Sequence, residues 1–334
     1  MTSHNPIPGM HTFELSRRQW LMGAAALGAL PSIAQEENLS LKGRRVALCV
    51  AGTSHYYNIK TFNAQIAEVK RLGGIPVMYD AGYVDKNISE NLERLLDDKP
   101  DAVLQTQGSN KILDPILKKI AEAGIPLFTI SVPSTYSINT TNSDNVAIGT
   151  EIGKVIVKDL NGVGSLMLFS SYYRDHKFDL EIERYEALFA AIKPFPQIKL
   201  IPQELKEVIP NTVQNAFDQV TDMLPKYRKG EISALFCGWD VPLFGAAKAL
   251  KAAGRTEIRI YGVDGTPDLL GLMKDPSMPS ITIMSQQPAL IGKVAVQNIA
   301  RWLGGSRNLP KRTYVPALLT TAANVAEVQK IRGD

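Results

Sequence analysis

Residues 45–79 read RVALCVAGTSHYYNIKTFNAQIAEVKRLGGIPVMY, and this stretch decides the fold. Residues 46–51 are small and branched apolar residues, the composition of a strand buried on both faces. Gly52-Thr53-Ser54-His55-Tyr56-Tyr57-Asn58 follows as a polar and aromatic loop. Phe62, Ile66, Val69 and Leu72 then recur near helical spacing over residues 59–72. Gly73-Gly74 stops that helix, because glycine takes the left-handed conformation at a helix end. Residues 75–79 form the next strand. Strand, helix and strand at this spacing make one winding of a parallel sheet with a right-handed crossover.

The same rhythm runs on through the chain. Further strands are expected over residues 102–105, 125–130, 165–169, 198–201, 234–237, 259–263, 280–284 and 315–319. Helices are expected over 88–96, 112–123, 146–160, 180–192, 212–224, 243–253 and 291–303, with Ser143 or Asp144 capping the third. About ten strands in this length imply two parallel sheets rather than one. The fold class is therefore α/β, the same wound unit used twice. In open parallel sheets a ligand sits outside the carboxyl ends of the strands.

Composition narrows the function. A length of 334 residues suits two domains. Hydrophobic and charged fractions of 45% and 21% exclude global disorder. Two cysteines exclude a disulfide scaffold and a multi-cysteine metal or iron–sulfur site, and four histidines leave little room for a histidine cluster. Cys49 and Cys237 fall in strands of different halves and read as two separate buried thiols. A net charge of +4 argues against a nucleic-acid partner.

The first residues read as an address. Ser16-Arg17-Arg18-Gln19-Trp20-Leu21 carries paired arginines, residues 21–30 are uncharged, and Ser32-Ile33-Ala34 offers small residues to a peptidase, so cleavage is expected after Ala34. The apolar run is shorter than the about 20 residues a membrane-spanning helix needs. The arginine pair resembles the twin-arginine export motif. No cysteine follows the apolar run, so a lipid anchor is not indicated, and the mature chain is expected free in the periplasm. Losing Glu14, Arg17 and Arg18 takes the net charge from +4 to +3.

Enzyme signatures are missing. There is no phosphate-binding Gly-x-x-x-x-Gly-Lys-Ser/Thr loop, no Gly-x-Ser-x-Gly elbow, no His-x-x-x-His and no Cys-x-x-Cys. Gly162-Val163-Gly164 precedes a strand and reads as a turn. No cofactor, metal or catalytic residue is assigned. Instead, seven strand-end loops pool rings with hydroxyls, amides and a carboxylate: 52–58, 106–109, 131–134, 170–174, 238–240, 264–266 and 286–288. Rings cover C–H faces while Asp and Gln bond hydroxyls, so the mixture suits a polyhydroxylated ligand. Gln107, Ser131, Tyr172 and Trp239 are candidate contacts on this ground. The tripeptide Arg332-Gly333-Asp334 matches an adhesion motif by letters only and reads as a frayed end.

Asp101-Ala102-Val103-Leu104, Ala123-Gly124-Ile125-Pro126-Leu127, Ser143-Asp144-Asn145-Val146-Ala147-Ile148-Gly149, Tyr261-Gly262-Val263-Asp264-Gly265-Thr266-Pro267 and Gln286-Gln287-Pro288 occur in that order. In these segments the chain resembles the type 1 periplasmic solute-binding family, the ribose-binding-like branch that serves sugar ABC transporters. The resemblance covers about residues 45–324. It implies two doubly wound lobes joined by a three-strand hinge, with crossings near 141–142, 286–287 and 313–315. The first lobe would take 42–141 plus 287–313, and the second 142–286 plus 314–327. It implies a monomer that binds a small sugar or polyol-like ligand by closure and hands it to a membrane permease, with no catalysis. The family's contacts map onto His55, Tyr57, Asn58, Asp264 and Gln286. Its sugar-clamping Asp-Arg pair falls on Ser131-Val132 and is absent. Its helix arginine falls near Ile182 and also looks lost, and Trp239 replaces an asparagine. Charge could then come from Arg174, His176 or Lys177. The alternatives are a sensing subunit for a histidine kinase or chemoreceptor, or a receptor for a non-sugar molecule. A lac-type repressor would need an N-terminal helix-turn-helix where the export signal stands.

Overall fold

The computed structural model describes residues 38–175 and 179–334. The export signal and cleavage site read at residues 1–34, and the side chains of His176 and Lys177, lie outside the described residues.

Two six-stranded sheets carry the chain. The first contains β1 (Arg45–Val50), β2 (Ile75–Asp80), β3 (Ala102–Thr106), β4 (Leu127–Ile130), β5 (Asn139–Ser143) and β11 (Arg312–Val315). Their order is β2-β1-β3-β4-β5-β11, all parallel. The second contains β6 (Gly164–Phe169), β7 (Ile198–Leu200), β8 (Ala234–Cys237), β9 (Arg259–Asp264), β10 (Ile281–Ser285) and β12 (Leu318–Thr320), ordered β7-β6-β8-β9-β10-β12. Eleven helices accompany the strands among the described residues: α1 (Tyr56–Arg71), α2 (Asp85–Asp98), α3 (Asn110–Glu122), α4 (Asn145–Asp159), α5 (Ser171–Arg174), α6 (Asp179–Ile192), α7 (Thr212–Met223), α8 (Val241–Ala252), α9 (Pro267–Leu272), α10 (Pro288–Leu303) and α11 (Val325–Arg332). The expected cap of α4 is Asp144, whose carboxylate accepts the Ala147 N–H at 2.9 Å.

The chain passes from one sheet to the other three times: after Ser143, after Ser285 and after Val315. The strand expected at 315–319 is two strands. β11 stays with the first sheet through Val315, and β12 pairs antiparallel with β10, the one exception to parallel strand pairing among the described residues. Only Pro316 and Ala317 separate them. Two residues are too few for a crossover, so the strand runs straight on and meets the second sheet head-on.

β5 has no counterpart in the hydropathy pattern. Its sequence is Asn-Thr-Thr-Asn-Ser, and all five residues are buried. Side chains rather than apolar contact hold it. Thr129 and Thr140 share a hydroxyl bond of 2.7 Å. Asn139 Nδ2 donates to Thr313 Oγ1 and to the Pro310 carbonyl, both at 2.8 Å. From α10, Asn298 Nδ2 donates to Asn139 Oδ1 at 3.0 Å and to Thr313 Oγ1 at 3.1 Å.

Helices α4 and α6 lie close because α4 presents glycines. A Cβ at Gly149 would collide with the carbonyl oxygen of Arg184, and one at Gly153 would press on Ala191. This contact sets the height of Arg184 above the second sheet.

Asn298→Ala removes the donor that ties α10 to β5 and β11; Asn139 Oδ1 keeps the Thr141 hydroxyl and Thr313 Oγ1 keeps Asn139 Nδ2, so the cost is that of the lost hydrogen bonds, about 1 kcal/mol each. The expected result is a lower thermal midpoint with an unchanged denaturant m-value. A midpoint equal to wild type would show that the network does not hold the crossing strands.

Candidate functional site

The carboxyl ends of the two sheets face each other, and side chains from both meet there. From the first sheet, α1 begins at Tyr56, so Tyr57 and Asn58 stand in its first turn rather than in the expected loop, and His55 precedes it. Tyr57 is buried, and its hydroxyl shares a 3.0 Å hydrogen bond with Ser131 Oγ at the end of β4. Ser131 Oγ in turn reaches Asn142 Oδ1 at 3.3 Å. Asn58 lies beneath the loop. Its Nδ2 donates to the Gly52 carbonyl and to Tyr83 Oη, both at 2.8 Å, so this side chain shapes the loop. Gln107 stands half-buried at the end of β3.

From the second sheet, Tyr172 on α5 stacks on Trp239, with centroids 5.8 Å apart and planes 7° from parallel. Trp239 follows β8 and meets His55 across the divide at 6.0 Å. Asp264 ends β9 with a buried carboxylate that accepts from Gln286 Nε2. Three strand-end residues, Gln107, Ser131 and Asp264, hold φ of 53°, 56° and 91°. Such left-handed values in non-glycine residues carry strain and gather where a site is preorganised.

Arg184 completes the group. It is 8% exposed; Nε donates to Asn145 Oδ1 at 2.8 Å, Nη1 donates to the Gly238 carbonyl at 2.6 Å, and Nη1 lies 3.9 Å from Asp264 Oδ1. Arg174, by contrast, is exposed and paired with Glu204 at 2.6 Å, so it supplies no charge to this group.

Burial governs the protonation states. It holds the His55 imidazole below its usual range, against the pull of Asp264. It pushes Tyr57 up to about 12, with the Ser131 hydrogen bond opposing and the Asp264 charge adding. Asp240, buried at the start of α8, accepts the Thr266 N–H and is pushed up to about 7 by burial and by Asp264. His55 Nε2, Trp239 Nε1, Asn145 Nδ2 and Gln286 Oε1 are buried without a hydrogen-bond partner among the described residues. Buried polar atoms are rarely left so, and a ligand rich in hydroxyls matches this set of donors and acceptors.

Residues 46–307 match the family model described as periplasmic binding protein domain. The chain belongs to that family. A solute-binding protein of an ABC transporter from Agrobacterium vitis, crystallised with bound allitol, is 46% identical with a TM-score of 0.82, over 87% of this chain and 100% of that one. An ABC sugar transporter subunit from Rhodobacter sphaeroides 2.4.1 is 42% identical with a TM-score of 0.80, over 84% and 99%. The ribose import binding protein of Escherichia coli K12 is 21% identical over 273 residues, 78% of this chain and 86% of that one. The D-apiose import binding protein of Paraburkholderia graminis is 22% identical over 230 residues, 68% and 70% respectively.

The sequence places the family's helix arginine near Ile182 and reads it as lost, but α6 carries an arginine close by in this periplasmic binding protein. Arg184 lies two residues beyond Ile182 and reaches Asp264. Its signal was present in the sequence: Glu181, Arg184, Tyr185 and Leu188 share one face of α6, which places an arginine on a stripe that is otherwise buried. Asn145 was missed because a residue opening a helix reads as part of its cap.

Glu181 is buried one turn before Arg184. Burial first, then Glu207, pushes its carboxyl up to about 8, with Arg184 opposing. An unfolded glutamate titrates near about 4.3, so the folded state holds this proton more tightly. Stability is therefore expected to fall as pH rises from about 4.3 toward about 8, and to level off above. Thermal melts across that range should show a shallower fall in Glu181→Gln than in wild type. Parallel curves would contradict this.

Proposed function

We propose that the chain is an exported, non-catalytic receptor that closes on a small acyclic polyol and delivers it to the permease of an ABC transporter. The observation that carries the reading is the composition of the cleft. A wall of Tyr172, Trp239 and His55 stands with one carboxylate, Asp264, flanked by Arg184 and Gln286. Rings shield C–H groups, while the flanked carboxylate and unpartnered amides take hydroxyls in definite directions.

The first-sheet side favours a polyol over a ring sugar. Where the resembling branch clamps a sugar with Asp-Arg, this chain has Ser131 and a fully buried Val132. Neutral hydroxyls from Tyr57 and Ser131 adapt to an extended carbon chain. The allitol held by the 46% identical protein is such a chain.

Closure would turn about the three crossings, with 42–141 plus 287–313 moving against 142–286 plus 314–327. A ligand touching both lobes binds the closed state more tightly and shifts the population toward it. The arginine pair at Arg17-Arg18 and the small residues before Gln35 support twin-arginine export and release into the periplasm as a monomer.

The test is a thermal-shift screen of residues 35–334 against allitol, other alditols and pyranoses. A ligand at a hundredfold excess over Kd stabilises by about 2.7 kcal/mol. A shift with alditols is expected, and Trp239→Ala, Asp264→Ala and Arg184→Ala should each weaken allitol binding more than about tenfold in calorimetry. A shift with pyranoses alone would overturn the polyol reading. Unchanged affinity in all three variants would overturn the site.

A further inference from the structure

The tripeptide Arg332-Gly333-Asp334 is not the frayed end it reads as in the sequence. α11 closes with Gly333 in the left-handed conformation, φ 67°. The Gly333 N–H donates to the Lys330 carbonyl at 3.3 Å and the Asp334 N–H to the Gln329 carbonyl at 3.0 Å. This paired closure needs glycine at its turning residue and fixes the direction of the residue after it. α11 follows β12, and its Val325 packs in the core of the second sheet, so the segment travels with the second lobe.

From there it reaches both sides. Arg332 is 6% exposed and Nη1 donates to the Gly265 carbonyl at 2.6 Å, one residue beyond Asp264. The Asp334 side chain is 1% exposed. It accepts from the hydroxyl of Tyr56 and lies 3.3 Å from Arg332 Nε and 3.5 Å from Lys60 Nζ. Lys60 Nζ also donates to the Gly333 carbonyl at 2.7 Å, and the Arg332 guanidinium sits 5.8 Å over the Tyr56 ring. Tyr56 and Lys60 belong to α1 of the first lobe, and Tyr56 lies between His55 and Tyr57 in the chain. Burial and the Asp334 carboxylate push the Tyr56 hydroxyl up, which keeps it a donor.

We propose that Tyr56, Lys60, Arg332 and Asp334 form a latch between the lobes that favours the closed cleft before any ligand binds. The proposal rests on the hinge closure described above. A contact that exists only with the lobes together adds its free energy to the closed state, and ligand affinity rises with the closed population. Charge-assisted bonds to a buried carboxylate are strong and poorly screened. The latch is tied to the cleft by chain continuity on both sides, Gly265 to Asp264 and Tyr56 to His55 and Tyr57.

The test is a spin-label distance between Lys86→Cys and Lys206→Cys in residues 35–334. Both positions are exposed and follow β2 and β7, the edge strands farthest from the crossing strands, where opening moves them most. Cys49 and Cys237 are buried and do not compete for label. Without ligand, the parent pair should show mainly the short distance. Asp334→Ala and Tyr56→Phe should each lower the short-to-long ratio about tenfold, the weight of one charge-assisted hydrogen bond. Tyr56→Phe deletes a single oxygen, so a failure to fold cannot mimic the result. Ligand-free distributions that coincide in all three proteins, or a parent already open, would overturn the latch. Allitol added to the opened Asp334→Ala and Tyr56→Phe proteins separates the readings: if it never restores the short distance there, the polyol reading fails and the latch stands.

Discussion

The carboxylate of Asp264 is buried, and a buried charge is tolerated only beside compensating partners. Much of the second lobe is arranged to supply them. Gln286 donates to it from the second crossing, and Arg184 approaches to 3.9 Å from α6. Arg184 can do so because Gly149 lets α4 lie against its backbone, and Asn145 and the Gly238 carbonyl hold its guanidinium. Asp240 responds to the same charge: burial together with Asp264 pushes its carboxyl upward. One group thus draws on the close packing of α4 and α6 for its partner and raises a neighbour's hold on its proton.

The first crossing strand, β5, follows a different rule: it buries five polar residues and no apolar side chain. Its hydroxyls and amides are matched within the first sheet and by Asn298, Ser143 Oγ apart. Hydrogen bonds of this kind are directional, and leaving one unmade is costly, so they define register without adding much net stability. That is a sensible basis for a hinge, where a unique strand path matters more than the depth of a core.

In the proposed reading, ligand recognition and closure share residues by adjacency. The loops that carry His55 and Asp264 toward the cleft carry Tyr56 and Gly265 toward Arg332 and Asp334. Trp239 likewise has two duties, stacking on Tyr172 within its own lobe and meeting His55 from the other. A shift of either lobe therefore moves ring contacts and polar contacts together, which is how a small ligand can influence a large rigid-body motion.

Residues 45–79 alone announce the wound sheet, because apolar runs, helical spacing and glycine stops are local signals. The same signals located most strands and narrowed one helix cap to Ser143 or Asp144. β5 escaped because Asn-Thr-Thr-Asn-Ser has no apolar residue, and the burial of all five is decided by partners on β4, α10 and β11. The division of 312–320 between two sheets escaped the local pattern, although the resemblance placed a crossing near 313–315, because pairing is not written in a strand's own letters. Asp334 looks like a surface charge in the sequence, yet its side chain is buried. Local composition determined which segments are strands and helices, and which loops carry rings and hydroxyls. Only the tertiary structure decided which of those polar groups face one another, since a hydrogen bond depends on distance in space and not along the chain.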